Sequence, residues 1–396
     1  MFRKAILFLL ITAFLTAVFL FKLSPHSSHA QNNTPVKNRI IVRYKPRAGN
    51  TDKFKIRQII GAVMSEKIDN LNAEVFEVPL PLFEKLLDVL KKHDLVLYAE
   101  KDEIAYALET TNDPYLPNQW GLTKIKASSN SESAWNYNHG NSSILVAVVD
   151  TGIDQNHPDL IAKIAKNKNC TSSTTVDDRY GHGTHVAGIA AAATNNNVGV
   201  AGVGYNVRLL NAKGLKDDGS GYYSWIANCI IWSADNGASV INLSLGGSAS
   251  SQTLEDAVNY AWNKGVVVVA AAGNSGSSSP SYPAYYANAV AVGATDSNDA
   301  KANFSNYGTW VDLAAPGVSI YSTAPNHSNS LRINNYANLS GTSMATPFVS
   351  GLAALLKSAG NLTNQQIVDN LYSHADKING TGNYWIYGRI NALNSI

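Results

Sequence analysis

Short apolar runs alternate with longer helical patterns over most of this chain. Six runs carry few polar residues, as expected of strands that are buried on both faces of a sheet. They are residues 144–149, 207–212, 240–245, 266–271, 289–293 and 311–314. Helical patterns occupy residues 182–193, 222–236, 253–264, 343–358 and 363–373. This alternation predicts an α/β domain with a mainly parallel sheet, whose functional side chains gather at the carboxyl ends of the strands.

The stretch before this domain has a different pattern and a different charge density. Strands are predicted at residues 39–44, 73–78 and 95–108, with a further one near 63–67, and helices at 51–60 and 82–92. Charged side chains occupy 24 of the 78 positions from 31 to 108, but only 33 of the 288 positions from 109 to 396. The change predicts two folding units, the first a small α+β domain of ferredoxin-like type with an antiparallel sheet.

Residues 1–30 have the pattern of an export signal. Arg3 and Lys4 precede an apolar run from 5 to 21, and Ser28-His29-Ala30 offers the small residues that a signal peptidase needs. Cleavage there would release a secreted protein. A retained membrane anchor is the alternative, because an apolar run of this length would rise about 26 Å as a helix, close to the thickness of a bilayer.

Composition limits the classes of function. A net charge of +2 in 396 residues gives no indication of nucleic-acid binding. Cys170 and Cys229 are the only cysteines, so stability must come mainly from packing or from bound metal. Cys229 lies in an apolar helical pattern and is predicted to belong to the core. The sequence leaves open whether it pairs with Cys170.

Four polar side chains stand where apolar runs end or helical patterns begin. They are Asp150, His182, Asn274 and Ser343. The aspartate, the asparagine and the serine each have a structural alternative, since such residues at such places commonly cap a helix or close a turn. For the histidine the competing interpretation is metal binding. Zinc binding by His182 and His185 is disfavoured, because the pair lacks the spacing and the carboxylate of an HExxH helix. His185 is expected to face the helix interior or a neighbouring strand.

Three blocks of the sequence together resemble the subtilisin-like serine proteases, peptidase family S8, and most closely their thermitase branch. The blocks are Val149-Asp150-Thr151-Gly152-Ile153-Asp154, the segment from Gly181 to Gly188 and the segment from Gly341 to Pro347. Their order, Asp then His then Ser, is that of subtilisin. The resemblance covers nearly all of residues 112–394 and implies a three-layer subtilisin-like fold with serine endopeptidase activity.

The same resemblance implies a role for each polar side chain. Ser343 would be the nucleophile, His182 the general base and then the general acid, and Asp150 the group that orients the imidazole. Asn274 and the backbone amide of Ser343 would hold the oxyanion. A catalytically silent binding or surface protein with the same fold is the alternative, and the presence of all four side chains favours the enzyme.

Two segments resemble those that hold an extended peptide substrate between them in this family. They are Ser244, Leu245 and Gly246, and Gly219, Ser220 and Gly221. Binding would add a strand through main-chain hydrogen bonds, which tolerates many substrate sequences. The primary pocket would be lined by residues near 271–274 and 281–284, which include no acid, so an apolar or aromatic P1 residue is expected. The bond between Tyr282 and Pro283 is expected to be cis.

Residues 39–108 resemble, more weakly, the inhibitory prosegment of the family. Its tail would occupy the substrate groove, with Leu108 in the primary pocket and Ala105 in the fourth subsite. Self-cleavage after Leu108 would then make Glu109 the mature N-terminus. This divides the chain into a signal peptide (1–30), a propeptide (31–108) and a catalytic domain (109–396), with the propeptide acting as an intramolecular inhibitor of a monomer. A permanent accessory domain is the alternative.

Calcium is the cofactor that the resemblance implies. The family's tight site would draw on the carboxylates of Asp113 and Asp159, on the side chain of Asn196, and on main-chain oxygens of Ala193, Val198 and Val200. Oxygen ligands of this kind suit a hard divalent cation. The alternative is that the two aspartates are ordinary surface acids.

Overall fold

The computed structural model describes residues 38–61, 63–103 and 110–396. The chain divides into two compact units, residues 1–105 and 106–396. The predicted export signal and the predicted cleavage site after Leu108 lie outside the described residues. None of the helices in the described ranges has the length and hydropathy required to cross a membrane.

The first unit is a four-stranded antiparallel sheet with two helices. Its elements are β1 (Asn38–Tyr44), α1 (Asn50–Ile60), β2 (Val63–Ile68), β3 (Ala73–Val78), α2 (Phe83–Lys91) and β4 (Val96–Lys101). The strands lie in the order β2-β3-β1-β4, and the antiparallel pairings confirm the predicted α+β arrangement. Of the predicted last strand, 95–108, the structure forms the part from Val96 to Lys101, and Lys101 pairs with Ile40 of β1. Asp102 and Glu103 are not part of a strand, and the remainder of the prediction lies outside the described residues.

The second unit is built on an eight-stranded sheet in which every strand pair is parallel. Its strands are β5 (Leu145–Asp150), β6 (Ile164–Asn169), β7 (Arg208–Lys213), β8 (Val240–Leu243), β9 (Val267–Ala271), β10 (Val290–Thr295), β11 (Leu313–Pro316) and, after the separate hairpin of β12 (Ile320–Thr323) and β13 (Tyr336–Leu339), β14 (Gly388–Arg389). The order across the sheet is β14-β11-β10-β9-β8-β5-β7-β6. The predicted α/β class is therefore confirmed.

Helices cover both faces of this sheet. They are α3 (Trp120–Lys124), α4 (His182–Ala191), α5 (Tyr223–Asp235), α6 (Gln252–Asn263), α7 (Thr342–Ala359), α8 (Asn364–Ser373) and α9 (Ala392–Ser395). Successive residues of β5 point to opposite sides, so Val146 and Val148 pack in the core that includes α4 and α7, while Ala147 and Val149 pack in the core that includes α5 and α6. This is a three-layer arrangement.

The question of cysteine pairing is answered by the fold. Cys170 directly follows β6 and forms a disulfide with Cys229 in α5, with a Cα–Cα distance of 5.9 Å. Cys229 is fully buried, as predicted. The bridge ties the outermost strand of the sheet to a helix of one covering layer.

Candidate active site

The site begins at the carboxyl end of β5, where Asp150 is fully buried. One of its carboxylate oxygens, Oδ1, accepts hydrogen bonds from the backbone N–H of Thr151 at 2.7 Å and lies 2.8 Å from Nδ1 of His182. The buried ammonium of Lys213 donates a hydrogen bond to the carbonyl of Thr151 and so fixes the loop that follows β5. Asp150 is therefore fixed with an oxygen directed at the imidazole.

His182 is the first residue of α4, and the start of this helix is anchored by a second buried acid. Asp178 accepts hydrogen bonds from the backbone N–H groups of Gly181 and Thr184, both at 2.8 Å, and from the hydroxyl of Thr151, also at 2.8 Å. Anionic side chains stabilise helix N-termini, where backbone N–H groups lack partners. Asp178 thus joins the loop after β5 to the helix that carries His182.

The packing between these two elements requires a glycine. A Cβ at Gly183 would collide with the carbonyl oxygen of Gly152 and would press on Asp150. Any larger residue at position 183 would force the helix away from the end of β5. The glycine therefore permits the short distance between Asp150 and His182.

The electrostatic surroundings make the imidazole of His182 a stronger base than it would be if burial acted alone. Burial by itself would lower the pKa of the imidazole, but the charge of Asp150 and the hydrogen bond to it outweigh burial and raise the pKa above its ordinary value. The charge of Asp178 acts in the same direction. An imidazole in this setting is well suited to take a proton from a neighbouring hydroxyl.

Ser343 lies in the first turn of α7, which begins after Gly341. Its hydroxyl donates to the carbonyl of Ser244 at 3.1 Å, and in the described part of the chain it forms no hydrogen bond with His182. Hydrogen bonds of a catalytic pair are often formed fully only when substrate is bound. The backbone N–H of Ser343 belongs to the helix start, where such groups have no partner within the helix.

Asn274 follows β9 and is held beside Ser343 by a threonine. Its amide oxygen accepts from the backbone N–H of Thr342 at 2.9 Å and from the Thr342 hydroxyl at 3.0 Å. That hydroxyl in turn accepts from the N–H of Gly273 at 3.1 Å. Because the oxygen is occupied, the amide nitrogen of Asn274 is left as a donor, and both it and the backbone nitrogen of Ser343 lie beside Gly341. Two donors of this kind can stabilise an oxyanion.

A cavity of about 280 Å³ opens beside Asn274 and Ser343. Its lining includes Leu245 and Gly246, and residues 271, 273–275 and 279–281, and none of its lining residues is charged. The segment from Gly219 to Gly221 does not line this cavity. It lies instead beside the residues before His182, since the ring of Tyr180 packs against Gly219. The peptide bond between Tyr282 and Pro283 is cis, as predicted.

The predicted calcium ligands also come together. Asp113 and Asp159 are 3% and 0% exposed. The backbone N–H of Asn196 donates to Asp113 at 3.3 Å and its side-chain amide donates to Asp159 at 3.0 Å. The other predicted ligands, Ala193, Val198 and Val200, lie in the same loop. Within the described ranges no cationic side chain pairs with either carboxylate, and burial raises the pKa of Asp159.

This donor set fits a hard cation. Two buried carboxylates without a counter-ion are costly, and a divalent ion with oxygen ligands would offset that cost. Ligation by the Asn196 side chain would require its amide to turn over, because its oxygen now accepts from the N–H of Val198 at 2.9 Å.

A further group of ligand-type side chains escaped the sequence reasoning. Atoms of Asp154, Asp177 and His327 lie within 4.8 Å of one another. His327 is distant in sequence from the two aspartates, so no local spacing of residues indicates that the three side chains come together. Arg179 lies 3.2 Å from the Asp177 carboxylate and already supplies positive charge, so we assign no metal to this group.

The second histidine of the His182 block has a structural place. His185 is fully buried, and its Nε2 lies 3.0 Å from the carbonyl of Ala337 in β13. Burial lowers its pKa to about 4. It therefore faces a neighbouring strand, which is one of the two places predicted for it.

The positions of Asp178 and Thr342 were not predicted as part of the site. An acid four residues before a histidine at a helix start is a signal for Asp178, because such an acid can cap that helix. Thr342 is adjacent to the predicted nucleophile, but its bond to Asn274 is a contact between residues 68 apart in sequence. Sequence spacing alone carries no sign of it.

Family comparisons agree with this geometry. Residues 141–388 match the model of the subtilase family, Peptidase S8, and residues 24–102 match the fervidolysin N-terminal prodomain. The subtilase match includes Asp150, His182, Asn274 and Ser343. The prodomain match ends close to the division between the two compact units.

Individual relatives extend over most of the chain. A thermophilic serine proteinase of Bacillus sp. strain AK1 is 46% identical over 362 residues, covering 91% of this chain and 88% of the relative. Thermitase of Thermoactinomyces vulgaris is 50% identical over 289 residues, covering 72% of this chain and 99% of thermitase. A solved protease structure from Pseudoalteromonas arctica has a TM-score of 0.66 at 34% identity and covers 72% of this chain and 98% of that one. The chain therefore belongs to the subtilase family, as a serine endopeptidase with a subtilisin-like fold and a fervidolysin-type prodomain.

Proposed function

We propose that this protein is a secreted, self-processing endopeptidase that hydrolyses peptide bonds with Asp150, His182 and Ser343. The observation that carries the proposal is the 2.8 Å contact between Asp150 and His182 at the carboxyl end of β5. The neighbouring strand β8 leads to Ser244, whose carbonyl accepts from the hydroxyl of Ser343. This neighbourhood supports the roles of nucleophile, base and orienting acid that acyl transfer needs.

The chemical steps follow from these positions. The hydroxyl of Ser343 breaks its hydrogen bond with the Ser244 carbonyl and gives its proton to Nε2 of His182. Its Oγ forms a bond with the scissile carbonyl carbon. The carbonyl oxygen becomes an oxyanion between the Asn274 amide and the Ser343 N–H. His182 then gives the proton to the leaving amine as the peptide C–N bond breaks, and water completes hydrolysis by the same route.

Labelling with a serine-directed phosphonate tests this assignment. The mature wild-type enzyme is expected to take up one label per chain, whereas Ser343→Ala and His182→Ala should take up none. A matched control is Ser340→Ala, which removes a hydroxyl three residues from the nucleophile. Absence of labelling in the mature wild type, or full labelling of Ser343→Ala, would contradict the proposal.

The cavity beside Asn274 is proposed as the primary specificity pocket. Its lining has no charge to pair with a lysine or an arginine, so apolar and aromatic P1 residues are expected to be favoured within a broad specificity. The main-chain segments 244–246 and 219–221 would pair with the substrate as an added strand. Peptides that differ only at P1 test the preference, and faster cleavage after Arg than after Leu or Phe would contradict it.

The first unit is proposed to act as an intramolecular inhibitor that is removed by self-cleavage after Leu108. The match of residues 24–102 to a prodomain supports this role. N-terminal sequencing of the purified wild type is expected to give Glu109, and the Ser343→Ala chain is expected to stay uncleaved. A wild type that keeps the first unit while fully active would support a permanent accessory domain instead.

Secretion is proposed from the pattern of residues 1–30, and a monomer is the expected state after release. Expression in a bacterial host should place activity in the culture medium, and deletion of residues 1–30 should retain the protein in the cells. The mature enzyme should elute at the mass of one chain. Membrane-bound activity in the wild type would support the retained anchor.

Calcium binding is proposed at Asp113, Asp159 and the loop from 193 to 200. The support is the pair of buried carboxylates without a counter-ion in the described ranges. When bound, the ion would neutralise these charges and tie the start of the second unit to this loop. Because these residues are separate from the triad, the expected role is structural.

A further inference from the structure

The backbone carbonyl of Ser343 lacks the donor that a helix normally supplies. In α7, the N–H four residues later would belong to position 347, which is a proline inside the helix, and proline has no N–H. The hydroxyl of Ser244 donates to this carbonyl instead, at 2.8 Å. Ser244 is only 3% exposed, so water has little access to the bond.

The Ser244 hydroxyl is oriented by two buried side chains. Asn242, in β8, donates from Nδ2 to Oγ of Ser244 at 2.9 Å, and its Oδ1 accepts from Oγ of Ser350 at 2.8 Å. Both Asn242 and Ser350 are fully buried. Because Ser244 Oγ accepts from the amide, its single proton is left for the carbonyl of Ser343. The network thus starts in α7, crosses to β8 and returns to α7.

Ser244 and Ser343 form two reciprocal hydrogen bonds. The hydroxyl of Ser343 donates to the carbonyl of Ser244 at 3.1 Å, while the hydroxyl of Ser244 donates to the carbonyl of Ser343. Ser244 therefore contacts both the hydroxyl of Ser343 and the carbonyl of the peptide group that follows Ser343. By restraining that peptide group, it fixes the orientation of Oγ and of the N–H of Ser343 relative to the substrate.

We propose that Ser244 is a positioning residue, whose hydroxyl replaces the donor that Pro347 removes from the nucleophile's carbonyl. The inference rests on the proposed role of Ser343 as nucleophile. It adds a side-chain role to a residue assigned above to substrate binding through its main chain. Loss of this hydroxyl leaves a buried carbonyl without its donor, which is costly and loosens the first turn of α7.

A thermal double-mutant cycle tests the donor replacement without any need for activity. Ser244→Ala and Pro347→Ala are compared singly and together in the full-length Ser343→Ala chain, which keeps the carbonyl at position 343. All seven tryptophans lie in the second unit, so their fluorescence reports its unfolding. Ser244→Ala should lower the unfolding midpoint, and the drop should shrink to less than half in the Pro347→Ala background, where position 347 has an N–H. Equal drops in both backgrounds would overturn the replacement.

Phosphonate labelling tests the positioning role with Ser343 intact. Folded Ser244→Ala is expected to be labelled about tenfold more slowly than wild type, and the combined variant is expected to lose less than the product of the two single losses. Ser373→Ala is the matched control, because it removes an exposed helical hydroxyl that donates to a backbone carbonyl at 2.8 Å. A rate for Ser244→Ala within twofold of wild type would overturn the role. An unlabelled wild type would contradict the proposed function, while the thermal cycle would still decide the donor replacement.

Discussion

The proposed oxyanion donor, the side-chain amide of Asn274, is oriented by its neighbour Thr342. Thr342 occupies the oxygen of Asn274 through two hydrogen bonds, so the amide nitrogen is the atom left to face the substrate. We predict that Asn274→Ala lowers kcat by about 10² to 10³ with a much smaller change in KM, because the donor acts on charge that develops only in the transition state. Steady-state kinetics on one peptide substrate measures both constants.

Residual activity is part of this prediction, because the backbone N–H of Ser343 remains as a second donor. Asn274→Leu, which keeps the approximate shape, should fall into the same range. Asn288→Ala is a suitable control, since that side chain bonds to Asn259 at 2.8 Å and has no place in the site. An unchanged kcat, or a loss confined to KM, would contradict the assignment of Asn274.

At the scale of elements, the disulfide joins β6 to α5 across 59 residues of sequence. Closing a loop of this length restricts the unfolded chain by about 4 kcal/mol in the chain-entropy estimate. We predict that Cys170→Ser combined with Cys229→Ala lowers the unfolding midpoint of the Ser343→Ala chain by roughly 8 °C. Alanine is chosen at position 229 because that residue is fully buried. Treatment of the parent with a thiol reductant should give a similar drop, and the variant should not respond to it.

The elements differ in how well they could be predicted. The strands that are buried on both faces form apolar runs and were found within two residues of their starts. β6 was missed because it lies at the edge of the sheet and its sequence, Ile-Ala-Lys-Asn-Lys-Asn, is mostly polar and partly exposed. β12 and β13 were missed because they pair only with each other, as a short hairpin outside the main sheet.

The same distinction applies to the site. Asp150, His182 and Ser343 could be proposed because each lies at a strand end or a helix start within a recognisable block, and Asn274 because it follows a buried apolar run. The contacts that orient them could not be found, since Asp178 with Thr151, Thr342 with Asn274 and Ser244 with Ser343 join segments that only the folded sheet brings together.

At the scale of the whole molecule, buried titratable groups have opposite effects on the free energy of unfolding in mild acid. Burial lowers the pKa of His185 to about 4, so this residue favours unfolding as the pH falls from about 6.5 towards 4. Burial also raises the pKa of Asp312 to about 6, so the folded state binds a proton before the unfolded state does. Asp312 therefore favours folding as the pH falls from 6 towards 4.

We predict that Asp312→Asn makes the loss of stability between pH 6 and pH 4 steeper, because it removes one of the buried acids that oppose His185. Unfolding midpoints of the Ser343→Ala chain at pH 4, 5 and 6 measure the slope. Asp256→Asn, at an exposed position, serves as the control. A slope in Asp312→Asn that equals or falls below that of the parent would contradict the prediction.

The proposed calcium ion would couple the start of the second unit to the loop between α4 and β7. Asp113 and Asp159 contact the same residue, Asn196, and both are buried, so without a cation their charges repel at close range. We predict that chelation lowers the unfolding midpoint of the Ser343→Ala chain, and that the midpoint then rises with the logarithm of free calcium once its concentration exceeds the dissociation constant. Asp159→Asn should flatten this rise, because it removes one ligand charge, and Asp256→Asn should leave it unchanged.

Magnesium should substitute poorly, since it demands a tighter octahedral shell than carbonyl and carboxylate oxygens of a loop provide. If the unfolding midpoint is the same in chelator and in calcium, the prediction is contradicted. The two carboxylates would then be tolerated without a bound cation, and calcium would not contribute to the stability of the chain.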